Sequence, residues 1–348
     1  MGALKDHPPL FIVGAPRSGT TLLQTLVDGY SPIAIPPESH VFPRFFHLFG
    51  CYGDLHLDAH LHRLIGDLLS DEKVRGWGMN ASVEAFRRGL AAPTIRDVVA
   101  RLYGLYAEQQ GKPRWGDKTT VHVLYMNEIR SLFPEAKFIH LVRDGRDVAE
   151  SLFRVAIGKK STWANAHRWV GYLEAAEAFQ RRVPPGVFLE VRYENLVRQP
   201  EEELRRVFAF LGVDAAAPAG RAVPETRLKQ HYLERAVHHG ELNAPISDQK
   251  IGTFKTGLAR RDVEAFETVA GETLTRYGYA LVTSGSTRLT WKDHLRFVFQ
   301  DTVIRYQRKI QDPAQFKQLG REFRETTQLH LRNALRSRWR RQRTATVP

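Results

Sequence analysis

The sequence predicts an α/β fold with a central parallel sheet, because three short apolar segments alternate with helical patterns. The segments span 9–13, 137–142 and 187–192, and each is a nearly continuous run of branched and aromatic residues. Such runs are typical of strands that helices cover on both faces of a sheet. Helical spacing of apolar residues follows at 20–28 and 146–153. Strand and helix therefore alternate as α/β folds require.

Composition excludes several classes of protein. The 348 residues are 43% hydrophobic and 26% charged, which is typical of a globular chain. No apolar run approaches the roughly 20 residues of a spanning helix, and the N-terminus lacks the pattern of a secretory signal. The single cysteine, Cys51, allows neither an intrachain disulfide nor a cysteine-based zinc site. We therefore expect a cytoplasmic protein.

The positive charge is concentrated near the C-terminus. Of the net charge of +13, residues 287–348 carry +10. The remainder of the chain is close to balanced, so no nucleic-acid partner is expected. Apolar residues in this basic segment recur at helical spacing, first at Trp291, Leu295 and Val298 and later at Phe316 and Leu319. The pattern predicts amphipathic helices with basic outer faces.

A glycine-rich loop, from Gly14 to Thr21, joins the first strand to the first helix. Its glycines allow backbone amides and the helix N-terminus to point at one anion. Loops that bind ATP or GTP carry Lys directly after the second glycine. Here Thr20 takes that position and the cation is Arg17. No acidic run ends the 137–142 strand to bind Mg²⁺, so a nucleoside triphosphatase is disfavoured.

A second anion motif follows the strand 137–142. Arg143 ends the strand, and Ser151 follows eight residues later on the predicted helix. These two side chains can converge on a dianionic phosphate through charge-assisted hydrogen bonds.

Together the two motifs resemble sulfotransferases that use 3′-phosphoadenosine 5′-phosphosulfate (PAPS). The run Phe11 to Leu22 is most similar to the loop of tyrosylprotein sulfotransferases and their bacterial relatives. The resemblance covers about residues 9–280 and implies a P-loop-containing three-layer sandwich with a helical cap insertion and a C-terminal helical extension. It implies PAPS as the donor substrate and no metal. The donor-binding residues that it implies are Gly14, Pro16, Arg17, Ser18, Gly19, Thr20, Thr21, Arg143, Ser151, Tyr193, Gly252 and Lys255.

The resemblance also suggests catalytic residues. Glu38 follows the Pro36-Pro37 pair, and its placement resembles the general base of the tyrosylprotein enzymes. His40 stands where their motif has Arg and is a second candidate base near neutral pH. Lys118 resembles the family lysine that donates to the bridging oxygen or the sulfonate. Arg17 suits stabilisation of the leaving phosphate.

Several alternatives stay open. A P-loop small-molecule kinase would depend on ATP and Mg²⁺, and a nucleotide or anionic-surface binding protein would have no turnover. The histidines at 56, 60 and 62 could suggest a metal site. Their i, i+4, i+6 spacing and the lack of a partner carboxylate motif favour surface or cap-packing roles instead.

The expected organisation is a sulfotransferase domain at 1–285, with a helical cap for the acceptor at about 42–125, and a basic extension at 286–348. The acceptor would be a hydroxyl-bearing small molecule, carbohydrate or lipid. The extension is either a solvated face, a peripheral contact with anionic lipid, or a homodimer contact.

Overall fold

The central sheet has five parallel strands. In the computed structural model, which describes residues 7–90, 93–155, 158–213 and 246–304, the strands are β1 Leu10–Gly14, β2 Ile33–Ala34, β3 Arg114–Lys118, β4 Lys137–Val142 and β5 Phe188–Arg192. Their order is β2-β3-β1-β4-β5. Ile33 pairs with Arg114, and Phe138 to Val142 pair in register with Phe188 to Arg192. The predicted α/β fold is therefore confirmed.

The three predicted strands form within one residue of their expected bounds. Every residue of β1 is buried, as expected for a strand covered on both faces. Strand β3 was not predicted, because no apolar run marks Arg114–Lys118. Its sequence, RWGDK, has no apolar run, although all five residues are buried. The charged side chains of β3 bind other polar groups, which a hydrophobicity pattern does not detect.

Contacts divide the chain into two units, and the described part of the first unit covers 7–11, 32–90 and 93–137. Its helices are α2 Val41–Phe45, α3 Asp58–Ser70, α4 Glu72–Arg75, α5 Val83–Arg88, α6 Ile95–Gln109 and α7 Met126–Leu132, with 3₁₀ turns at Phe46–Tyr52 and Thr120–Tyr125. Aromatic rings fill the core. Trp115 stacks on Tyr103 with centroids 4.8 Å apart and also meets Phe11 and Phe133 edge to face. These contacts fix β3 against α6.

The described part of the second unit covers 12–31 and 138–304, without the gaps given above. Its helices are α1 Thr20–Tyr30, α8 Gly145–Arg154, α9 Thr162–Gln180, α10 Tyr193–Arg198, α11 Pro200–Leu211, α12 Phe254–Gly257, α13 Arg260–Arg276 and α14 Trp291–Phe299, followed by a π-helical turn at Gln300–Ile304. Helices α9 and α13 pack through Trp169 and Phe266, whose centroids are 6.0 Å apart. The buried Trp169 indole donates to the carbonyl of Arg143, 3.1 Å away. That bond holds the end of β4.

Segment 42–125 contains α2 to α6, β3 and the two 3₁₀ turns, and helix α14 lies where the tail pattern predicts a helix. The predicted domain boundaries at 285 and at 42–125 stay predictions. The amphipathic pattern that begins at Phe316 lies outside the described residues. No helix within the described ranges is both long enough and apolar enough to cross a bilayer.

Candidate active site

The loop Gly14 to Thr21 is shaped as an anion cradle. Arg17 and Gly19 both have positive φ, at 70° and 92°, which turns the chain sharply into α1. Thr20 and Thr21 open the helix, and no side chain caps its N-terminus. The first amides of a helix have no partner within the helix, and the helix dipole places partial positive charge there. The loop therefore points donors and positive potential at one place.

Three further features of the loop fit a bound phosphate. The Ser18 hydroxyl is fully buried and has no hydrogen-bond partner among the described residues. A Cβ added at Gly14 would lie 2.5 Å from the Leu141 carbonyl oxygen, and one at Gly19 would lie 2.4 Å from the Tyr193 ring. Only glycine fits at these two positions. Pro16 is half-buried between them. An unsatisfied buried hydroxyl beside a glycine cradle is what a phosphate oxygen would complete.

Arg143 and Ser151 join the second anion motif to this loop. The Arg143 guanidinium donates to the carbonyl of Arg17 at 2.9 Å and lies over the Tyr193 ring, 4.4 Å from its centroid. Arg17 Nε in turn donates to Ser151 Oγ at 2.9 Å. Two motifs that are more than a hundred residues apart in the chain are thus joined by hydrogen bonds. The side chains that form these bonds are ones that the sequence analysis predicted to bind the donor.

A third segment, 250–255, forms hydrogen bonds with Arg143 and Asp147. Arg143 donates to the Lys250 carbonyl at 2.6 Å. The Asp147 carboxylate accepts hydrogen bonds from the amides of Gly252 and Phe254, at 2.8 and 3.0 Å. Burial raises the pKa of Asp147, and these amide bonds and the charge of Arg143 oppose the rise. Asp147, which the sequence analysis missed, therefore ties this loop to α8.

Four further charged side chains of this region make structural contacts. Arg146 pairs with Asp144 at 2.7 Å and with the buried Glu267 at 2.5 Å. Glu194 accepts from the amide of Asp144 at 3.0 Å. These contacts hold the start of α8. Lys255 lies on α12, directly after the Gly252 turn.

The predicted catalytic residues Glu38, His40 and Lys118 form a cluster in the first unit. Lys118 Nζ donates to Glu38 Oε1 at 2.9 Å, and His40 Nε2 lies 3.1 Å from Glu38 Oε2. The Lys118 side chain is 5% exposed, whereas that of Glu38 is 31% exposed and can be reached by a substrate. His40 has a φ of 52°. Arg17 and His40 are the two non-glycine residues with positive φ among the described residues, and such backbone conformations concentrate at functional sites.

The electrostatics of this cluster keep Glu38 ionised. Burial opposes the charge, but the Lys118 ammonium and the contact with His40 outweigh it and hold the pKa of the Glu38 carboxyl well below its usual range. The carboxylate is thus in the state that a general base requires, and Lys118 limits its basicity.

A buried polar network lies beneath Glu38 and Lys118. The Ser39 hydroxyl donates to Asp117 Oδ2 at 2.7 Å, and the Tyr103 hydroxyl lies 2.9 Å from the same oxygen. Thr119 Oγ1 accepts from the Ser39 amide at 3.0 Å. His122 Nδ1, also buried, lies 2.8 Å from Asp117 Oδ1. Ser39 is adjacent to Glu38 and Asp117 to Lys118, so the network holds both neighbours in register.

Burial opposes ionisation of Asp117, but His122 and the Ser39 and Tyr103 hydroxyls outweigh it and lower the pKa of Asp117. Burial, followed by the Asp117 charge, raises the pKa of Tyr103 well above its usual value, so its hydroxyl stays a donor. The sequence analysis named neither residue. A charged residue inside the WGDKT run, next to a predicted lysine, is the signal that could have identified Asp117.

The histidines at 56, 60 and 62 are not grouped with other metal-ligand side chains in the described residues. In the parts of the chain that the structure describes, no three His, Cys, Asp or Glu side chains are grouped to hold a metal ion. His60 Nδ1 instead contacts the Asp54 carbonyl oxygen at 2.8 Å.

Comparison with known proteins finds sulfotransferases. The model of the sulfotransferase family, Sulfotransfer_3, matches residues 8–217. A putative protein-tyrosine sulfotransferase of Caenorhabditis briggsae is 25% identical over 69% of this chain and 73% of its own length. The protein-tyrosine sulfotransferase of Drosophila melanogaster is 26% identical over 60% of this chain, which spans only 39% of that relative.

Among solved structures, the sulfotransferase domain from the curacin biosynthetic pathway has the same fold. It superposes with a TM-score of 0.54 and 21% identity, covering 79% of this chain and 99% of that domain. The family match covers more than half of the sequence, and the two anion motifs from which the resemblance was inferred both lie inside it. The chain belongs to the sulfotransferase family.

Proposed function

We propose that this protein transfers a sulfuryl group from PAPS to an acceptor hydroxyl by in-line displacement. The observation that carries the proposal is the bond between Arg17 and Ser151, which joins the loop Gly14 to Thr21 to the Arg143 motif. A 5′-phosphosulfate and a 3′-phosphate are two anions on one nucleotide. Two linked anion motifs in one unit suit such a ligand better than a single phosphate site.

The donor-binding residues divide into groups with separate tasks in this proposal. The loop amides and the Ser18, Thr20 and Thr21 hydroxyls bind the 5′-phosphosulfate. Arg143 and Ser151 bind the 3′-phosphate through charge-assisted hydrogen bonds. Tyr193 lies near the nucleotide, and the segment at 250–255, with Gly252 and Lys255, closes over the 3′-phosphate.

In the chemical step the acceptor oxygen attacks sulfur while the bond from sulfur to the bridging phosphate oxygen breaks. Glu38 takes the acceptor proton, and the products are a sulfate ester and 3′-phosphoadenosine 5′-phosphate. Arg17 and Lys118 stabilise the negative charge that develops on the leaving phosphate and the sulfonate. Because Lys118 lowers the basicity of Glu38, engagement of Lys118 by the donor would make Glu38 a stronger base. His40 is the alternative base.

Two other assignments belong to the proposal. The acceptor is a hydroxyl of a small molecule, carbohydrate or lipid. Because two relatives are named as protein-tyrosine sulfotransferases, the tyrosine side chain of a protein is also a candidate acceptor to be tested. The protein acts in the cytoplasm. The kinase alternative lacks support at Thr20, where ATP-binding loops carry lysine.

Calorimetric titration with 3′-phosphoadenosine 5′-phosphate and with ATP, each with and without Mg²⁺, tests donor use. We expect metal-independent binding of the bisphosphate that weakens about 10- to 100-fold in Arg143→Ala, as for loss of a charge-assisted contact. Arg260→Ala is the matched control, since its side chain is 86% exposed. Binding of ATP alone, with Mg²⁺, would instead support a kinase.

Measuring turnover with PAPS and each of these candidate acceptors distinguishes an enzyme from a protein that only binds the nucleotide. Glu38→Gln should retain bisphosphate binding and lose turnover, whereas unchanged turnover would exclude Glu38 as the base. Bisphosphate binding without turnover on any acceptor would favour the binding protein.

A further inference from the structure

Helix α14 and the π-helical turn after it present an apolar face to the outside. Trp291, Leu295, Val298, Phe299 and Val303 recur on one side of this segment, and they are 38–68% exposed. Eight large hydrophobic side chains are exposed in the described part of the chain, and five of them are on this face. We call these five residues the outer apolar face. Such a concentration marks a surface that contacts something else.

The polarity of this helix is the reverse of that of an ordinary surface helix, whose apolar side packs inward. On the inner side, the Asp293 carboxylate accepts two hydrogen bonds from the Arg261 guanidinium, at 2.9 and 2.6 Å. Arg296 pairs with Asp262 at 3.1 Å. Both contacts attach α14 to α13, so polar groups contribute to its inner face beside the buried Phe297.

The far end of the segment is also attached. Asp301 accepts from the amides of Lys160 and Ser161, at 2.6 and 2.9 Å, and from the Ser161 hydroxyl at 2.8 Å. Between the two ends, Phe297 stacks on Trp163 with the ring planes 10° apart. Because both ends are attached, the helix cannot roll to bury its apolar side. The outer apolar face is thus presented in a fixed orientation.

Basic residues flank this face in the sequence. Arg288 and Lys292 lie at the start of α14, and Lys292 Nζ is 5.8 Å from the Trp291 ring centroid. The sequence continues past the face with Arg305, Arg308 and Lys309, within the segment that carries +10. A second copy of the chain would bring this charge against itself, which opposes self-association. A negatively charged partner is favoured instead.

We propose that the outer apolar face docks on a lipid bilayer that contains anionic lipids. Trp and Phe side chains partition into the interfacial region of a bilayer, and neighbouring Lys and Arg are attracted to its negative surface. The two interactions together provide the pair of signals that stable peripheral binding requires. The inference is independent of the proposed function, since it uses none of the residues assigned to PAPS or to catalysis.

Co-sedimentation of the full chain with vesicles tests the proposal. We expect binding to phosphatidylserine-containing vesicles that weakens at high salt, and little binding to pure phosphatidylcholine. The double variant Leu295→Ser, Phe299→Ser should bind at least about tenfold more weakly, given the apolar area removed. The control variant Leu57→Ser, Val282→Ser alters two side chains of similar exposure elsewhere and should bind like the parent.

Three results would overturn the proposal. One is vesicle binding that depends on salt but is the same in the double variant, because the basic sequence alone would then suffice. Another is a concentration-dependent dimer in sedimentation velocity that the double variant abolishes. The third concerns Trp291 fluorescence, isolated as the difference from Trp291→Phe. Emission already shifted to the blue and shielded from iodide without vesicles would mean that the protein itself covers the face.

Discussion

Replacing Asp117 by asparagine isolates the role of the buried network under the predicted catalytic residues. The substitution preserves size and one acceptor oxygen but removes the charge. Asp117 Oδ2 faces the hydroxyls of Ser39, Tyr103 and Thr119, at 2.7, 2.9 and 3.2 Å. Asp117→Asn therefore weakens three hydrogen bonds without opening a cavity.

The magnitude follows from these three contacts. A hydrogen bond to a charged group contributes about 1.5–3 kcal/mol and a neutral one about 0.5–1.5 kcal/mol, so each bond weakens by about 1 kcal/mol. We expect Asp117→Asn to lower the free energy of unfolding by about 3 kcal/mol. In a chain of this size each kcal/mol corresponds to about 2 °C in the melting temperature, which gives a loss of about 6 °C.

Thermal unfolding measures the stability, and turnover with PAPS measures the effect on the cluster. Because Asp117 positions Lys118, and Ser39 positions Glu38, kcat should fall more than the affinity for the bisphosphate changes. Asp58→Asn is the control, since the Asp58 side chain is 81% exposed, and its melting temperature should stay within about 1 °C. An Asp117→Asn variant with the parent's melting temperature and kcat would refute the positioning role.

Three further predictions concern the donor site and the pH dependence. Gly19→Ala should abolish bisphosphate binding in calorimetry, because its Cβ would lie 2.4 Å from the Tyr193 ring at a φ of 92°; full affinity would disprove the cradle. The pKa of Glu38 is lowered in the folded protein, so its charge contributes stability above the ordinary pKa of 4.5 that is lost as the pH falls through the folded value. Denaturant titrations of the parent and Glu38→Gln should therefore differ most near pH 6 and converge towards pH 3, and a constant difference would contradict the ion pair. Asp147→Ala should weaken bisphosphate binding about tenfold by freeing the amides of Gly252 and its neighbours, whereas Asp147→Asn, which keeps an acceptor, should recover part of the loss in the same titration.

Local sequence patterns predicted much of the framework. The apolar runs located β1, β4 and β5, and the glycine spacing located the loop between β1 and α1. Strand β3 was missed because three of its five buried residues are charged, and Asp117 and Lys118 bond partners far along the chain. Lys118, for example, bonds Glu38 across 80 residues of sequence. A pattern within a short stretch of sequence cannot show that these two residues pair.

The candidate site was likewise predicted only in part from the sequence. The residue types and spacing of the two anion motifs follow from the sequence alone, because a phosphate requires cations, hydroxyls and flexible backbone in a short segment. Only the tertiary structure decided that Arg17 bonds Ser151 across 134 positions, that Asp147 holds the loop at 250–255, and that Asp117 underlies Lys118. It also placed the apolar side of α14 outward, so the prediction of a basic outer face was wrong for this helix. Spacing within a segment fixes local conformation, whereas pairing of distant polar groups depends on which strands and helices become neighbours in the folded chain.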